Sequence, residues 1–300
     1  MSASAPGGSR DSPAGPERRA FELHPLSQRD ALLAQGKDVR VVHMVRHAQG
    51  THNVDQNGVT LRDPANHDAR LTPFGEQQCD ALSLSLRRDG RVAGATLVVT
   101  SPLTRCVQTA LLCFKGRVAD DARFVAHESV RETVNFACDA RRGADALANE
   151  FGASGVDFSL LTDAPNADSS ETRSSYPADP LWRKYESVVG DARAWDDHRE
   201  SCDLVSVADR ARAFFAWLKI QNEREVAVSS HSAFLRCLFS WGHAGGVRTA
   251  PNQTLCRVGG AFDVGDASTP VVTYGGDAVF EARMREDWDN CELRTFLVCY

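Results

Sequence analysis

Arg46-His47, Arg105 and His231 each follow closely on a short run of β-branched and apolar residues. A guanidinium fork holds a dianionic phosphoryl group bidentately, and a neutral imidazole can attack phosphorus or donate a proton. Taken singly, a histidine in such a place is more often a satisfied core or surface residue and an arginine a solvated one. Four cationic or potentially cationic groups at strand ends are another matter in a chain of net charge −6, because nothing about folding requires them together. Ser101-Pro102, just ahead of Arg105, reads as an N-cap followed by a first-turn proline, and a helix N-terminus adds N–H groups and a dipole that favour an anion.

Three runs must position these residues: Val41-Val42-His43-Met44-Val45, Ala95-Thr96-Leu97-Val98-Val99 and Glu225-Val226-Ala227-Val228. Each is short, apolar and β-branched, as a parallel strand buried on both faces should be. Helical patterns run from Thr72-Pro73 to Leu86, from Ser101-Pro102 to Phe114, from Val207 to Ile220 and from Ala233 to Trp241. Alternating strands and helices predict an α/β fold: a three-layer, open, mostly parallel sheet with helices on both faces. Ligands of such sheets bind at the carboxyl ends of the strands, where these histidines and arginines stand. Thr269-Pro270-Val271-Val272-Thr273-Tyr274 and Leu293-Arg294-Thr295-Phe296-Leu297-Val298 read as late strands that return to the sheet or form an edge hairpin.

Three hundred residues, 42% of them hydrophobic, suffice for one large domain. Residues 1–37, rich in Gly, Pro, Ser and Ala, predict a disordered leader, which leaves residues 38–300 as the folded domain. Residues 152–180 carry no sustained period and read as a long surface insertion, either a lid or plain linker. Thirty-four Lys and Arg against 40 Asp and Glu provide no cationic field for a general grip on nucleic acid or an acidic membrane. No apolar run reaches the ~20 residues of a membrane span, and no signal-peptide core opens the chain, so a cytoplasmic protein is expected. Nine cysteines, with no Cys-x-x-Cys pair, fit neither a disulfide framework nor a zinc ribbon and are expected to be structural thiols in a reducing compartment.

The stretch Arg46-His47-Ala48-Gln49-Gly50-Thr51-His52-Asn53 resembles the Arg-His-Gly signature of the histidine phosphatase superfamily, also called phosphoglycerate mutase-like. The resemblance continues at Asp68-Ala69-Arg70-Leu71-Thr72-Pro73-Phe74-Gly75, at Ser101-Pro102-Leu103-Thr104-Arg105-Cys106-Val107-Gln108-Thr109-Ala110 and at Ser230-His231, in order along most of the chain from Asp38 onward. It implies that His47 is the nucleophile that becomes phosphorylated. Arg46, Arg105 and His231 would complete the phosphate pocket, with Asn53 and Thr51 as further polar contacts. Val130-Arg131-Glu132 and Cys138-Asp139-Ala140-Arg141-Arg142 resemble a stretch of the plant and fungal mutase-like members. By that resemblance Glu132 is the acid that protonates the leaving alkoxide and must hold a proton near neutrality to do so; Glu128 is its rival.

Arg141 and Arg142 either contact a second anionic group or form a solvated charged turn. Ala48 and Ser232 stand where the family commonly has glycine, and a positive φ at either would be strained. His43 is expected to be a packed core residue, and His52 is a candidate for the pocket rim. Thr72-Pro73-Phe74-Gly75 is read as architectural: cap, first-turn proline and a small residue for close packing.

The reading that follows is a phosphomonoesterase, with no cofactor and no metal because its cations are built in, acting on a small phosphorylated metabolite. Phosphoglycerate-type mutase and non-catalytic phospho-ligand binding are the alternatives. The second has no need of the acid at Glu132. The substrate and the oligomeric state cannot be read from residues alone.

Overall fold

A computed structural model describes residues 19–54, 63–165, 174–189, 200, 204–244, 246–247 and 269–300. Eight strands form one sheet: β1 (Phe21–His24), β2 (Val39–Arg46), β3 (Leu97–Thr100), β4 (Arg123–Ala126), β5 (Val156–Asp157), β6 (Glu225–Ser230), β7 (Val272–Thr273) and β8 (Leu293–Cys299), in the order β5-β4-β3-β6-β2-β8-β1-β7. The block β5-β4-β3-β6-β2 is parallel throughout. Strand β8 then runs antiparallel between β2 and β1, and β7 closes the far edge parallel to β1. The helices are α1 (Arg29–Ala34), α2 (Pro73–Asp89), α3 (Thr104–Phe114), α4 (Ala144–Phe151), α5 (Pro180–Val189), α6 (Leu204–Lys219), α7 (Ser232–Ser240) and α8 (Ala278–Arg285). None among the described residues is long and apolar enough to cross a membrane.

The two-residue period of the strands divides the core into two clusters. Val42, Met44, Leu97, Val99, Val226 and Val228 pack beneath α6 and α7, whereas Val45, Val98 and Ala227 face α2 and α3. Both sheet faces are therefore covered, and the three-layer α/β architecture expected from the alternating pattern is what the chain forms. Strand β6 inserts between β3 and β2, so its register decides what meets at the sheet edge. Arg46 pairs with Ser230 and Thr100 with Ser229. His47 N–H then donates to the Ser230 carbonyl (2.9 Å) and Ser101 N–H to that of Ser229 (3.0 Å), which brings three carboxyl ends together.

Helix α2 starts as its sequence predicts: Thr72 caps the N–H of Gly75 (3.0 Å) with Pro73 in the first turn. Gly75 cannot be larger, since a Cβ there would lie 2.2 Å from the carbonyl oxygen of Gln49. Helix α3, by contrast, begins at Thr104 and not at Ser101-Pro102. Leu103 is extended, and the cap comes from a distant residue: Asp68 accepts from the Thr104 amide (2.7 Å) and hydroxyl (2.5 Å). Ser101 is thereby left to the site.

Two expectations of organisation are corrected. The leader does not extend to residue 37, because Phe21–His24 is a strand of the sheet, Leu23 is fully buried, and the Phe21 ring packs on Phe215 and Tyr300. The element escapes periodicity analysis because four residues span barely two alternations, and sheet pairing with β8 stabilises it. Residues 1–18 lie outside the described residues. Nor is 152–180 a plain surface loop: Val156 and Asp157 extend the sheet beside β4, Phe158, Leu161 and Ala164 are buried, and Asp179 is wholly buried. Residues 166–173 of that segment, Cys202, Cys256 and His198 lie outside the described residues, while the other seven cysteines are free thiols and buried, as expected. His43 is a core residue as read, bridging Thr295 (2.9 Å) and Glu225 (3.2 Å).

Candidate active site

His47 lies one residue past β2 and is almost wholly buried. Its Nδ1 is 2.7 Å from the carbonyl oxygen of Ala48. A carbonyl only accepts, so Nδ1 carries the proton and Nε2 presents its lone pair. Burial pushes the His47 imidazole well below its ordinary value, and the guanidinium groups of Arg105 and Arg46 push it further in the same direction. The ring is therefore neutral, which is the form that attacks.

His231, at the end of β6, lies 5.0 Å from His47 between ring centroids. Its Nε2 meets Ser101 Oγ at 2.8 Å, which orients the ring. Its Nδ1 is buried without a partner, and so are Nε of Arg46 and Nε of Arg105. Orphaned buried donors are costly. Two of the three are guanidinium donors on residues that flank one imidazole, an arrangement suited to an anion with several acceptor oxygens.

The arginines are held from behind. Arg46 donates to the Trp288 carbonyl (2.6 Å). Arg105 is fully buried in the first turn of α3 and donates to the Cys138 carbonyl (2.5 Å) and to Asp139 Oδ1 (3.0 Å). Burial raises the Asp139 carboxyl to about 6 despite Arg105. The other oxygen of Asp139 accepts the amides of Asn135 (3.2 Å) and Phe136 (3.1 Å), so this carboxylate fixes Arg105 to the 135–139 turn. The motif containing Asp139 was recognisable in the sequence, but no role could be given to it without knowing that Arg105 packs against it.

Glu132 lies beside the N-terminus of α7. Its carboxylate accepts the amides of Thr133 (2.9 Å), Phe234 (3.1 Å) and Ala233 (3.3 Å). The rival, Glu128, is paired with Arg131 (3.1 Å) and Arg141 (2.5 Å). Cys106 Sγ sits 3.2 Å from His231 Nε2 and could be mistaken for a thiol nucleophile. Burial pushes that thiol up to about 12, so it stays protonated and inert.

The expectation that Arg141 and Arg142 reach a second anionic group is corrected. Arg141 is buried and spends all three nitrogens on Glu128, Asp163 and the carbonyls of Thr162 and Arg142. Arg142 likewise spends its nitrogens on Asp68, Glu150 and Thr104. The alternative of a solvated turn fails for Arg141 for the same reason. Asn53 uses its Oδ1 to accept the Gly50 amide (3.0 Å) and Thr51 donates its amide to Arg70 (2.8 Å), so both shape the turn after β2. His52, considered only for the rim, is buried with its ring 5.4 Å from that of His47.

The sequence profile of the histidine phosphatase superfamily (branch 1) matches residues 42–146. A phosphoglycerate mutase-like protein of Arabidopsis thaliana is 32% identical over 231 residues, 67% of this chain and 74% of that protein. The chain belongs to the histidine phosphatase superfamily. A Schizosaccharomyces pombe protein named as a probable phosphatase is 32% identical over 81 residues, 27% of this chain and 35% of its own. Among solved structures, the ecdysone phosphate phosphatase of Bombix mori in complex with tungstate is similar, with TM-score 0.43 and 14% identity over 85% of this chain and 88% of that one.

This superfamily member departs from the signature at Ala48 and Ser232 without backbone strain. Among the described residues only Asp68 and Cys291 are non-glycine residues at positive φ. The turn after β2 keeps a glycine where it is needed, because a Cβ on Gly50 would meet the His52 ring at 2.7 Å.

A histidine phosphatase superfamily site with three buried neutral imidazoles should lose stability in acid. Burial, then Arg105, lowers His47, His52 and His231 alike. The unfolded chain protonates each near pH 6.5 while the folded one does not, so stability is full above that pH and falls as pH drops, by about 1.4 kcal/mol per pH unit for each histidine. Asp139, raised to about 6, opposes one of the three below that pH. Denaturant melts from pH 7.5 to 5.0 should show this decline, and a flat profile would contradict the neutral triad.

Proposed function

We propose that this protein is a phosphomonoesterase that hydrolyses a small phosphorylated metabolite through phosphohistidine at His47. The observation that carries the reading is the Nδ1–H of His47 on the Ala48 carbonyl, with Nε2 left as the nucleophile beside orphaned nitrogens of Arg46, Arg105 and His231. Nε2 attacks phosphorus, the P–O bond to the alkoxide breaks, and Glu132 supplies the alkoxide proton. Water then attacks the phosphoryl group, Glu132 takes its proton, and phosphate leaves with His47 regenerated. Arg46, Arg105 and His231 stabilise charge on the transferring oxygens, which is where most of the catalysis of phosphoryl transfer resides. The two guanidinium cations do the work that a metal would do elsewhere, with the neutral His231 donating a hydrogen bond, so the reading requires none.

As the acid, Glu132 must carry a proton, and Oε2, which accepts only the Ala233 amide while Oε1 accepts those of Thr133 and Phe234, is the oxygen with a lone pair left to hold it. Glu132→Gln should therefore slow substrates with alkoxide leaving groups by about 100-fold or more and aryl phosphates far less. Equal losses on both would move the acid elsewhere.

A mutase must keep its dephosphorylated intermediate in a closed site until the phosphate returns, whereas a phosphatase admits water. The segment 152–180 is polar and interrupted by prolines, and its Phe158, Leu161 and Ala164 are already buried in the fold, which leaves it ill suited to sealing a site and favours hydrolysis. The names of the Arabidopsis relatives keep the mutase reading in view. Incubation with 3-phosphoglycerate, following free phosphate and 2-phosphoglycerate together, separates the two. Release of phosphate without isomer supports the phosphatase, and rapid isomer formation without phosphate would make the protein a mutase.

A further inference from the structure

Cys79 on α2, Cys113 on α3 and Cys291 just before β8 come together in the apolar layer behind the site, although they are far apart in the sequence. All three are buried, their sulfur atoms lie within 4.8 Å of one another, and Cys113 Sγ is 3.8 Å from Cys291 Sγ. Thiolate–metal bonds of about 2.3 Å in a planar trigonal arrangement place three sulfurs about 4.0 Å apart. The triangle already has nearly that size.

Among the described residues no fourth histidine, cysteine or carboxylate joins the cluster. The Thr109 hydroxyl, which Cys79 touches, is committed, accepting the Ala48 amide (3.1 Å) and donating to the Arg105 carbonyl (2.7 Å). Zinc asks for four ligands, while soft sulfur donors alone suit a monovalent d10 ion. A second observation singles out Cys291. It holds φ of 61°, unusual for a side chain branching from an L-residue, and such strain persists where the surroundings impose it and clusters at functional positions. Its amide donates to the carbonyls of Arg46 (3.0 Å) and His47 (3.3 Å), so the backbone that carries the third sulfur also fixes the backbone of the nucleophile.

We propose that Cys79, Cys113 and Cys291 form a trigonal thiolate site for a soft monovalent metal ion, Cu(I) being the probe. Binding forms three Cu–S bonds and passes the three thiol protons to solvent, with no change of oxidation state, so affinity rises with pH. The site is separate from the phosphoryl chemistry and stands whether or not the proposed hydrolysis does.

Anaerobic titration of the full chain with Cu(I) against the chromophoric chelator bathocuproine disulfonate tests it. One Cu(I) per chain should be withheld from the chelator, with affinity lowered about 100-fold or more in Cys113→Ser. Cys237→Ser, a buried thiol outside the triangle, should bind as the unaltered chain does. X-ray absorption on the unaltered protein should count three sulfurs at about 2.3 Å, a readout that holds even if a variant misfolds. Fewer than three sulfurs, equal binding by Cys113→Ser, or Zn(II) held as tightly as Cu(I) would each overturn the proposal.

Discussion

His47→Ala should lower phosphate release from an aryl phosphate by more than about a thousandfold, since loss of a nucleophile removes the covalent route and leaves only the positioning of charge. The leaving group is chosen so that the acid at Glu132 is not limiting, and the loss then reports on His47 alone. Because His47 is almost wholly buried, the alanine also opens a cavity, and His47→Asn is the companion variant. Its amide can still donate to the Ala48 carbonyl that now takes Nδ1–H but has no ring nitrogen to attack. Both variants should give an unchanged circular dichroism spectrum. The phosphoryl group trapped on the unaltered enzyme should be labile in acid, stable in base, and map to His47. Turnover within tenfold of normal in either variant, or a phosphoryl group on a serine or aspartate, would remove His47 from its role.

Asp179→Ala should be the most destabilising substitution in the layer above the site, costing about 3–5 kcal/mol. Asp179 grips Arg131 bidentately at 2.8 and 2.6 Å, with both side chains wholly inaccessible. Its oxygens also accept the amides of Arg141 (2.9 Å), Leu181 (2.9 Å) and Trp182 (3.1 Å), the last two capping α5. Burial opposes the charge on Asp179, but Arg131 prevails and holds the carboxyl below its usual range. Truncation leaves the buried guanidinium with only Glu128, partly exposed and shared with Arg141, as counter-charge, and that penalty exceeds what the Asp179 pair itself contributes. Denaturant melts of the variant measure the loss. A change below about 1 kcal/mol would mean that Arg131 finds another partner among Glu128 and the Asp139 carbonyl, which it already touches. Since Arg131 precedes Glu132, activity should fall along with stability.

The residues of the proposed phosphate pocket were visible in the sequence because each sits at the end of a run that declares itself. β-Branched residues buried on both faces mark β2, β3 and β6, and the residue after each strand must lie at the sheet edge. Thr72-Pro73 declared the start of α2 for equally local reasons, a hydroxyl cap and a proline without an N–H. What the sequence determined by itself was therefore the central parallel strands β2, β3 and β6, the helices α2, α3, α6 and α7 beside them, and the identity of the groups at the strands' carboxyl ends.

Partnership was decided only by the tertiary structure. The start of α3 moved to Thr104 because Asp68, distant in sequence, caps it. Arg141 and Arg142, open to two readings as a basic pair, became structural once Glu128, Asp163, Asp68 and Glu150 were folded around them. Asp139 gained a role only beside Arg105, and His52 only when the turn after β2 put its ring near that of His47. Strand β1 is too short to show a period and exists because β8 and β7 offer it edges. The three thiols come from two helices and a loop whose nearness follows from packing against one sheet face. Local sequence sets backbone preference through propensity and capping, which act over a few residues. The charge, burial and hydrogen-bond partners of a side chain are set by groups tens to hundreds of residues away, and those are brought near only by the register of the sheet.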